Sequence, residues 1–155
     1  MKKIALLLVA MTIAFVTYSQ SNKEEVDLLQ AAFGMDKKAV VASFVQPTDL
    51  QKDAFWNLYD EYELQRKENG KKRIQLLEQY AKQYNSMTEE QADSWTTEVM
   101  KLQTATDKLI SSYYKKIRKV SSPIVATQFY QIENYILTGI RMEILEGVPF
   151  LERKK

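Results

Sequence analysis

The chain contains neither cysteine nor histidine. Without cysteine there is no disulfide framework, so packing alone must hold the fold. Without either residue no Ser-His or Cys-His nucleophile can be assembled. The histidine-based zinc sites fall with them, as does the Glu-x-x-His ligand set of di-iron helical bundles. No glycine-rich phosphate loop occurs. Carboxylates are what remains for chemistry, among them Asp60, Glu61 and Glu63, or Glu89, Glu90 and Asp93. A carboxylate pair can work as acid and base, but acidic residues near helix starts more commonly complement the helix dipole. That second role is expected here. The sequence reads as a non-enzyme with no metal or cofactor.

Proline and glycine are also scarce, at three and four residues. A chain with so few breakers reads as helix almost throughout, and two of the prolines sit where a helix would begin. One-sided charge is missing as well. Lys2 and Lys3 precede an apolar run over 4–16, and Thr17-Tyr18-Ser19 places small residues at a cleavage site ahead of Gln20. Residues 1–19 thus have the layout of a secretory signal peptide. The run is shorter than the roughly 18–20 apolar residues a bilayer span needs, and no cysteine follows for lipidation. The expected product is one soluble, exported domain over 20–155. Its basic and acidic residues balance, because the chain has 22 Lys and Arg against 20 Asp and Glu and the leader removes two lysines. Nucleic acid is therefore not an expected partner, since phosphate binding draws on clustered cations.

Four helices are expected. The first covers 24–45, with Val26, Leu29, Phe33, Val40, Val41 and Phe44 at helical spacing and Gly34 weakening the middle. Pro47-Thr48 marks the next start. Thr48 and Gln51 form a Thr-x-x-Gln capping box, followed by the aromatic pair Phe55 and Trp56. Leu58, Tyr59, Tyr62, Leu76, Leu77, Tyr80 and Tyr84 continue that apolar stripe. The polar stretch RKENGKKR interrupts it, and Asn69-Gly70 could form a turn there. One long helix with a soft, solvated waist is the preferred reading, because the spacing resumes in phase after Gly70.

Thr88 and Gln91 repeat the capping box, with Trp95 seven residues after Thr88. Trp95, Val99, Leu102, Thr106, Leu109, Tyr113, Lys116 and Val120 then step by four and three, the spacing of helices packed at a shallow angle. Ile110, Tyr114 and Ile117 add a second stripe to the later half. Ser122-Pro123 opens the fourth helix, as cap and first helical residue, with Phe129 again seven residues on. Ile124, Val125, Ile132, Ile136, Leu137, Ile140, Ile144 and Leu145 surround most of its girth, leaving Thr127, Gln131, Asn134, Thr138 and Arg141 as a polar stripe. Such a helix is central to a bundle or buried in a dimer. Gly147 and Pro149 end it, and Phe150-Leu151 are expected to fold back as an apolar plug. Tyr59, Tyr62, Tyr80 and Tyr113 read as core; Tyr114, Tyr130 and Tyr135 read equally as core or surface.

The Thr-x-x-Gln helix starts PTDLQ (47–51) and MTEEQ (87–91), together with the leader and the helical body, resemble the Spy/CpxP superfamily of periplasmic proteins, although neither copy has the Leu that precedes Thr in that family's motif. FWNLYDEYE (55–63) and FYQIENYI (129–136) resemble an uncharacterised secreted branch of it. The resemblance implies a four-helix chain of long antiparallel hairpins pairing as a cradle-like homodimer. It further implies ATP-independent, chaperone-like holding of unfolded or amphipathic clients. A regulatory partnership with an envelope sensor kinase or an extracytoplasmic sigma-factor system is the alternative from the same family, and a purely structural helical protein is a third reading. Zinc-responsive members bind metal through His or Cys, which this chain lacks.

Lys115, Lys116, Arg118 and Lys119 form the densest basic run. Cations at a helix C-terminus complement the dipole; beside Tyr114 and Ile117 they would also suit an acidic or amphipathic partner. The residues singled out for client binding are Tyr114, Lys115, Ile117 and Arg118, with Lys71, Lys72, Arg73 and Ile74 at the waist.

Overall fold

The structure, a computed structural model, describes residues 36–152. The export signal expected over 1–19, and Val26, Leu29, Phe33 and Gly34 of the first expected helix, lie outside the described residues. Four α-helices follow in order: α1 Lys37–Phe44, α2 Asp49–Gln83, α3 Glu89–Val120 and α4 Pro123–Gly147. Among the described residues there is no strand. The all-α expectation holds. No helix among the described residues is long and apolar enough to cross a membrane.

The helix starts lie where the capping chemistry puts them. At Thr88 both halves of the box form: the Gln91 N–H donates to Thr88 Oγ1 at 3.2 Å, and the Thr88 N–H donates to Gln91 Oε1 at 2.9 Å. At Thr48 the backbone N–H donates to Gln51 Oε1 at 3.2 Å. Ser122 Oγ accepts from the Val125 N–H at 3.2 Å, with Pro123 in the first turn. Each start then seats an aromatic. Phe55 and Phe129 are fully buried. Trp95 is half-buried, donates from Nε1 to the Leu76 carbonyl at 2.8 Å and packs against Tyr80 with ring centroids 4.6 Å apart. Trp56 is half-buried, edge-on to Phe55 and Tyr59.

Several expectations need correction. The first helix does not run unbroken over 24–45, because Asp36 has an extended ψ of 133° and its side chain accepts from the Lys38 N–H. Aspartate at this position satisfies an otherwise orphaned N–H and sets the helix start. Phe44 faces solvent, and Val45 takes the core position just past the helix end. On α3 the apolar stripe does not continue to Lys116 and Val120, both of which are exposed. The buried residues shift from Leu102 and Thr106 to Ile110, Tyr113 and Ile117. A 3.6-residue helix drifts against a strict 3.5 repeat, and the later half of α3 meets both neighbours, α2 through Tyr113 and α4 through Tyr114. Phe150 and Leu151 form no plug, since Phe150 is 86% exposed.

The preference for one long helix through Asn69-Gly70 holds: α2 is continuous for 35 residues. The waist is not wholly solvated, however. Gly70 is buried, and Asn69 donates to Thr106 Oγ1 of α3 at 3.5 Å.

α2 packs along α3, with Gln65 Nε2 donating to Tyr113 OH at 2.7 Å as a further link between them. α3 packs along α4, where Arg141 pairs with Asp107 at 3.1 Å and the rings of Tyr114 and Tyr130 meet edge-on at 6.1 Å. α2 and α4 relate differently. No Cα of one lies within 8 Å of a Cα of the other. Long side chains fill the gap: Tyr59 and Tyr62 from α2 stand edge-on to Phe129 of α4, with centroids 6.4 and 5.2 Å apart. Around them Val40, Val41, Phe55, Ile110, Ile117, Val125, Ile132 and Ile136 complete the core.

Replacing Thr88 by Ala removes the hydroxyl half of the best-formed box. Urea unfolding of Thr88→Ala is expected to show a loss of about 0.5–2 kcal/mol. Thr96→Ala, at an exposed position inside the same helix, is expected to stay within about 0.5 kcal/mol of the parent.

Candidate functional site

The most unusual chemistry in the fold is a buried ionic cluster. Lys37, at the first position of α1, is only 7% exposed, and Glu133 of α4 only 2%. Lys37 Nζ donates to both carboxylate oxygens of Glu133, at 2.7 and 2.9 Å, to Tyr59 OH at 3.1 Å and to Glu63 Oε1 of α2. It also stands 5.3 Å from the ring centroids of both Tyr59 and Tyr62. Tyr62 OH donates to Glu133 Oε2 at 2.6 Å, and Arg66 Nε pairs with Glu63 Oε1 at 2.7 Å. One ammonium therefore joins three helices.

Each group sits there for a local reason. Tyr59, Tyr62, Glu63 and Arg66 fall three or four residues apart on α2, so they share one face. Glu133 lies one turn past Phe129, on the same face of α4. Asp36 caps α1 and thereby points Lys37 inward at the first turn. A cleft of about 20 Å³ adjoins the cluster, lined by Arg66, Asn69, Gly70 and Arg73 of α2 and by Ile136, Leu137 and Ile140 of α4. That is room for about one water molecule.

Burial acts to raise the Glu63 carboxyl, but the charges of Lys37 and Arg66 outweigh it and hold the group below its ordinary value of 4.5. The Tyr59 and Tyr62 hydroxyls are pushed well up, first by burial and then by the negative charges of Glu133 and Glu63. Both tyrosines thus stay protonated. They act as fixed hydrogen-bonding partners, and the arrangement neutralises charge without presenting a base to solvent.

The residues expected to bind clients are not brought together. Ile117 is fully buried in the core and belongs to no exposed surface. Tyr114 is half-buried against Tyr130, while Lys115 and Arg118 are exposed. The waist lies elsewhere: Lys71 is half-buried and pairs with Glu68 at 2.8 Å, Lys72 is exposed, Arg73 lines the cleft and Ile74 is half-buried. Tyr113 sits opposite Gln65, so the basic end of α3 faces the earlier part of α2. At 1.5 Å rise per residue, the two groups stand roughly 15–20 Å apart along the helices.

A further surface was not singled out in the sequence. Ile124, Tyr135, Met142 and Leu145 lie on one side of α4 and are all exposed, Ile124 to 72% and Tyr135 to 65%. Gln131 and Thr138 share that side, also exposed, and no charged residue falls on it before Glu146. The helical repeat of 124, 131, 135, 138 and 142 carried the signal, but the apolar residues all around α4 masked it.

Among the described residues no group of three or more His, Cys, Asp or Glu side chains is placed to hold a metal ion. Compared with known protein families, with curated proteins and with solved structures, the chain matches none.

Lys37→Met removes a cation that touches both Glu133 and Glu63. Stranding one partner of a buried pair costs about 3–5 kcal/mol, and chemical unfolding of Lys37→Met should show a loss of that order. The acid dependence has a definite sign. The folded Glu63 carboxyl lies below its unfolded value near 4.5, so its contribution is full above that value and is lost as pH falls through the lower folded value. Glu63→Gln should therefore flatten the decline of stability measured from pH 5 downward.

Proposed function

We propose that this chain is a non-catalytic periplasmic protein-binding protein that holds unfolded or amphipathic polypeptide clients without nucleotide. The observation that carries the reading is the uncharged outer side of α4. More than a quarter of all residues in the chain are charged, at 27%, yet this stripe presents Ile124, Tyr135, Met142 and Leu145 with only Gln and Thr between them. An uncharged stripe with large apolar groups this exposed is the kind of surface that suits contact with another chain. Tyr and Met suit adaptable contacts, one as an amphipathic ring and the other as a flexible thioether.

The finer architecture belongs to the same proposal. The pairings Tyr80 with Trp95, Asn69 with Thr106 and Gln65 with Tyr113 support long antiparallel hairpins. Two such chains would pair as a cradle-like homodimer of Spy/CpxP type. Tyr114 meets Tyr130 at the other edge of α4, and the exposed Lys115 and Arg118 follow it on α3, where cations would speed encounter while apolar groups hold the client.

Purified residues 20–155, mixed at near-stoichiometric ratio with a chemically unfolded client and no nucleotide, should suppress light scattering. Tyr135→Glu combined with Met142→Glu should cut that suppression severalfold while leaving helix content unchanged. Undiminished suppression in the double variant removes α4 from the reading. Absence of suppression by the parent chain favours a regulatory partner of an envelope sensor, to be sought by pull-down from envelope extract.

A further inference from the structure

We propose that the groove between α2 and α4 is a binding site for amphipathic helices, with α1 as its built-in occupant. The outside partner is a helical segment that carries a Lys or Arg one turn ahead of paired aliphatic residues. This rests on the protein-holding reading and names the class of client the groove would take.

The groove exists because α2 and α4 stay apart. Their backbones make no close approach, and Tyr59, Tyr62 and Phe129 form a floor between them. α1 packs against α4, with no Cα within 8 Å of α2 or α3. Its hold on α2 is made by side chains: Lys37 to Tyr59 and Glu63, and Lys38 to Asp60 at 2.6 Å, with Lys38 also 5.3 Å from the Trp56 ring centroid. Val40, Val41 and Val45 enter the core, and the Gln46 N–H donates to Gln128 Oε1 of α4 at 3.1 Å. An eight-residue helix is too short to be stable alone in water. Its helical form therefore depends on the groove, as that of a bound peptide does.

Charge fixes what else can occupy the site. With α1 lifted away, Glu63 keeps Arg66, but Glu133 keeps only the Tyr62 hydroxyl among its present partners. A buried carboxylate without a cation is strongly unfavourable. A replacement segment must supply that cation at the position of Lys37, with aliphatic groups three and four residues later in place of Val40 and Val41. Acidic or purely apolar helices do not meet this demand. The short connection over 45–48 leaves α1 tethered nearby when displaced.

The test uses the whole chain and a fluorescein-labelled peptide of sequence DKKAVVASFVQ, identical to 36–46. Fluorescence anisotropy should show saturable binding, weakened about tenfold or more when the first peptide lysine is replaced by Glu, since unpaired buried charge costs at least that much affinity. A second arm exploits the absence of native cysteine. Gln46→Cys with Gln128→Cys, joined by a short bismaleimide, pins α1 in place, and circular dichroism verifies that the linked chain stays folded. Linked chain should bind the peptide at least about tenfold more weakly than the same variant left unlinked. The inference is overturned by absence of binding at millimolar peptide, by equal binding of the Glu peptide, or by equal binding to linked and unlinked chain. Aggregation suppression that survives linking, together with any of these, leaves the holding reading intact and removes the groove alone.

Discussion

The ammonium of Lys37 is the point on which the arrangement of helices depends. α2 and α4 run past each other without backbone contact, and α1 reaches α2 through side chains alone. A single cation shared by Glu133 and Glu63, with two tyrosine hydroxyls completing the hydrogen bonds, sets the spacing of all three. Burying such a cluster gains little net stability compared with apolar residues of similar size. What it contributes is definition. Tyrosine rings could pack in several registers, whereas the cluster closes only when Tyr62, Glu63 and Glu133 meet Lys37 together.

Around this point the molecule divides its chemistry by depth. Carboxylates and cations that meet in the interior neutralise one another, and the tyrosine hydroxyls there remain protonated. The outer side of α4 carries almost no charge and offers apolar groups to solvent. A scaffold with specific interior contacts can present such a surface without losing its fold to nonspecific collapse. Rigidity inside and permissiveness outside are compatible here because they sit on opposite sides of the same helix.

Much of this was legible in the sequence, and the reasons for the rest are physical. Thr88 with Gln91 and Ser122 with Pro123 are local signals, so the helix starts could be read directly. Phe55, Tyr59, Tyr62, Tyr80, Tyr113 and Phe129 are buried as their spacing implied. Ile117 was assigned to a client surface because it neighbours Tyr114 and the basic run over 115–119; its full burial among the core residues of the three other helices shows that it is core. The ionic cluster was missed altogether. Lys37 lies 96 positions from Glu133, and each taken alone looks like an ordinary solvated charge. Periodicity detects which face is apolar, but says nothing of a charge that goes inside because its partner does.

The relative lengths of the helices carry a mechanical consequence. α2 and α3 extend past the end of α4, and near their joined tip they are braced by Trp95 against Tyr80, by Tyr80 stacked on Tyr84, and by Tyr80 OH donating to the Pro149 carbonyl at 2.6 Å. Among the described residues the base joins three long helices and the ionic cluster, while the tip holds the ends of α2 and α3, a few aromatic contacts and the Pro149 tie. Free energy of local opening must therefore fall along the rod toward the turn at 84–86. Among the described residues this distribution of contacts is that of a stiff handle with a more compliant end, where opening is expected to come first.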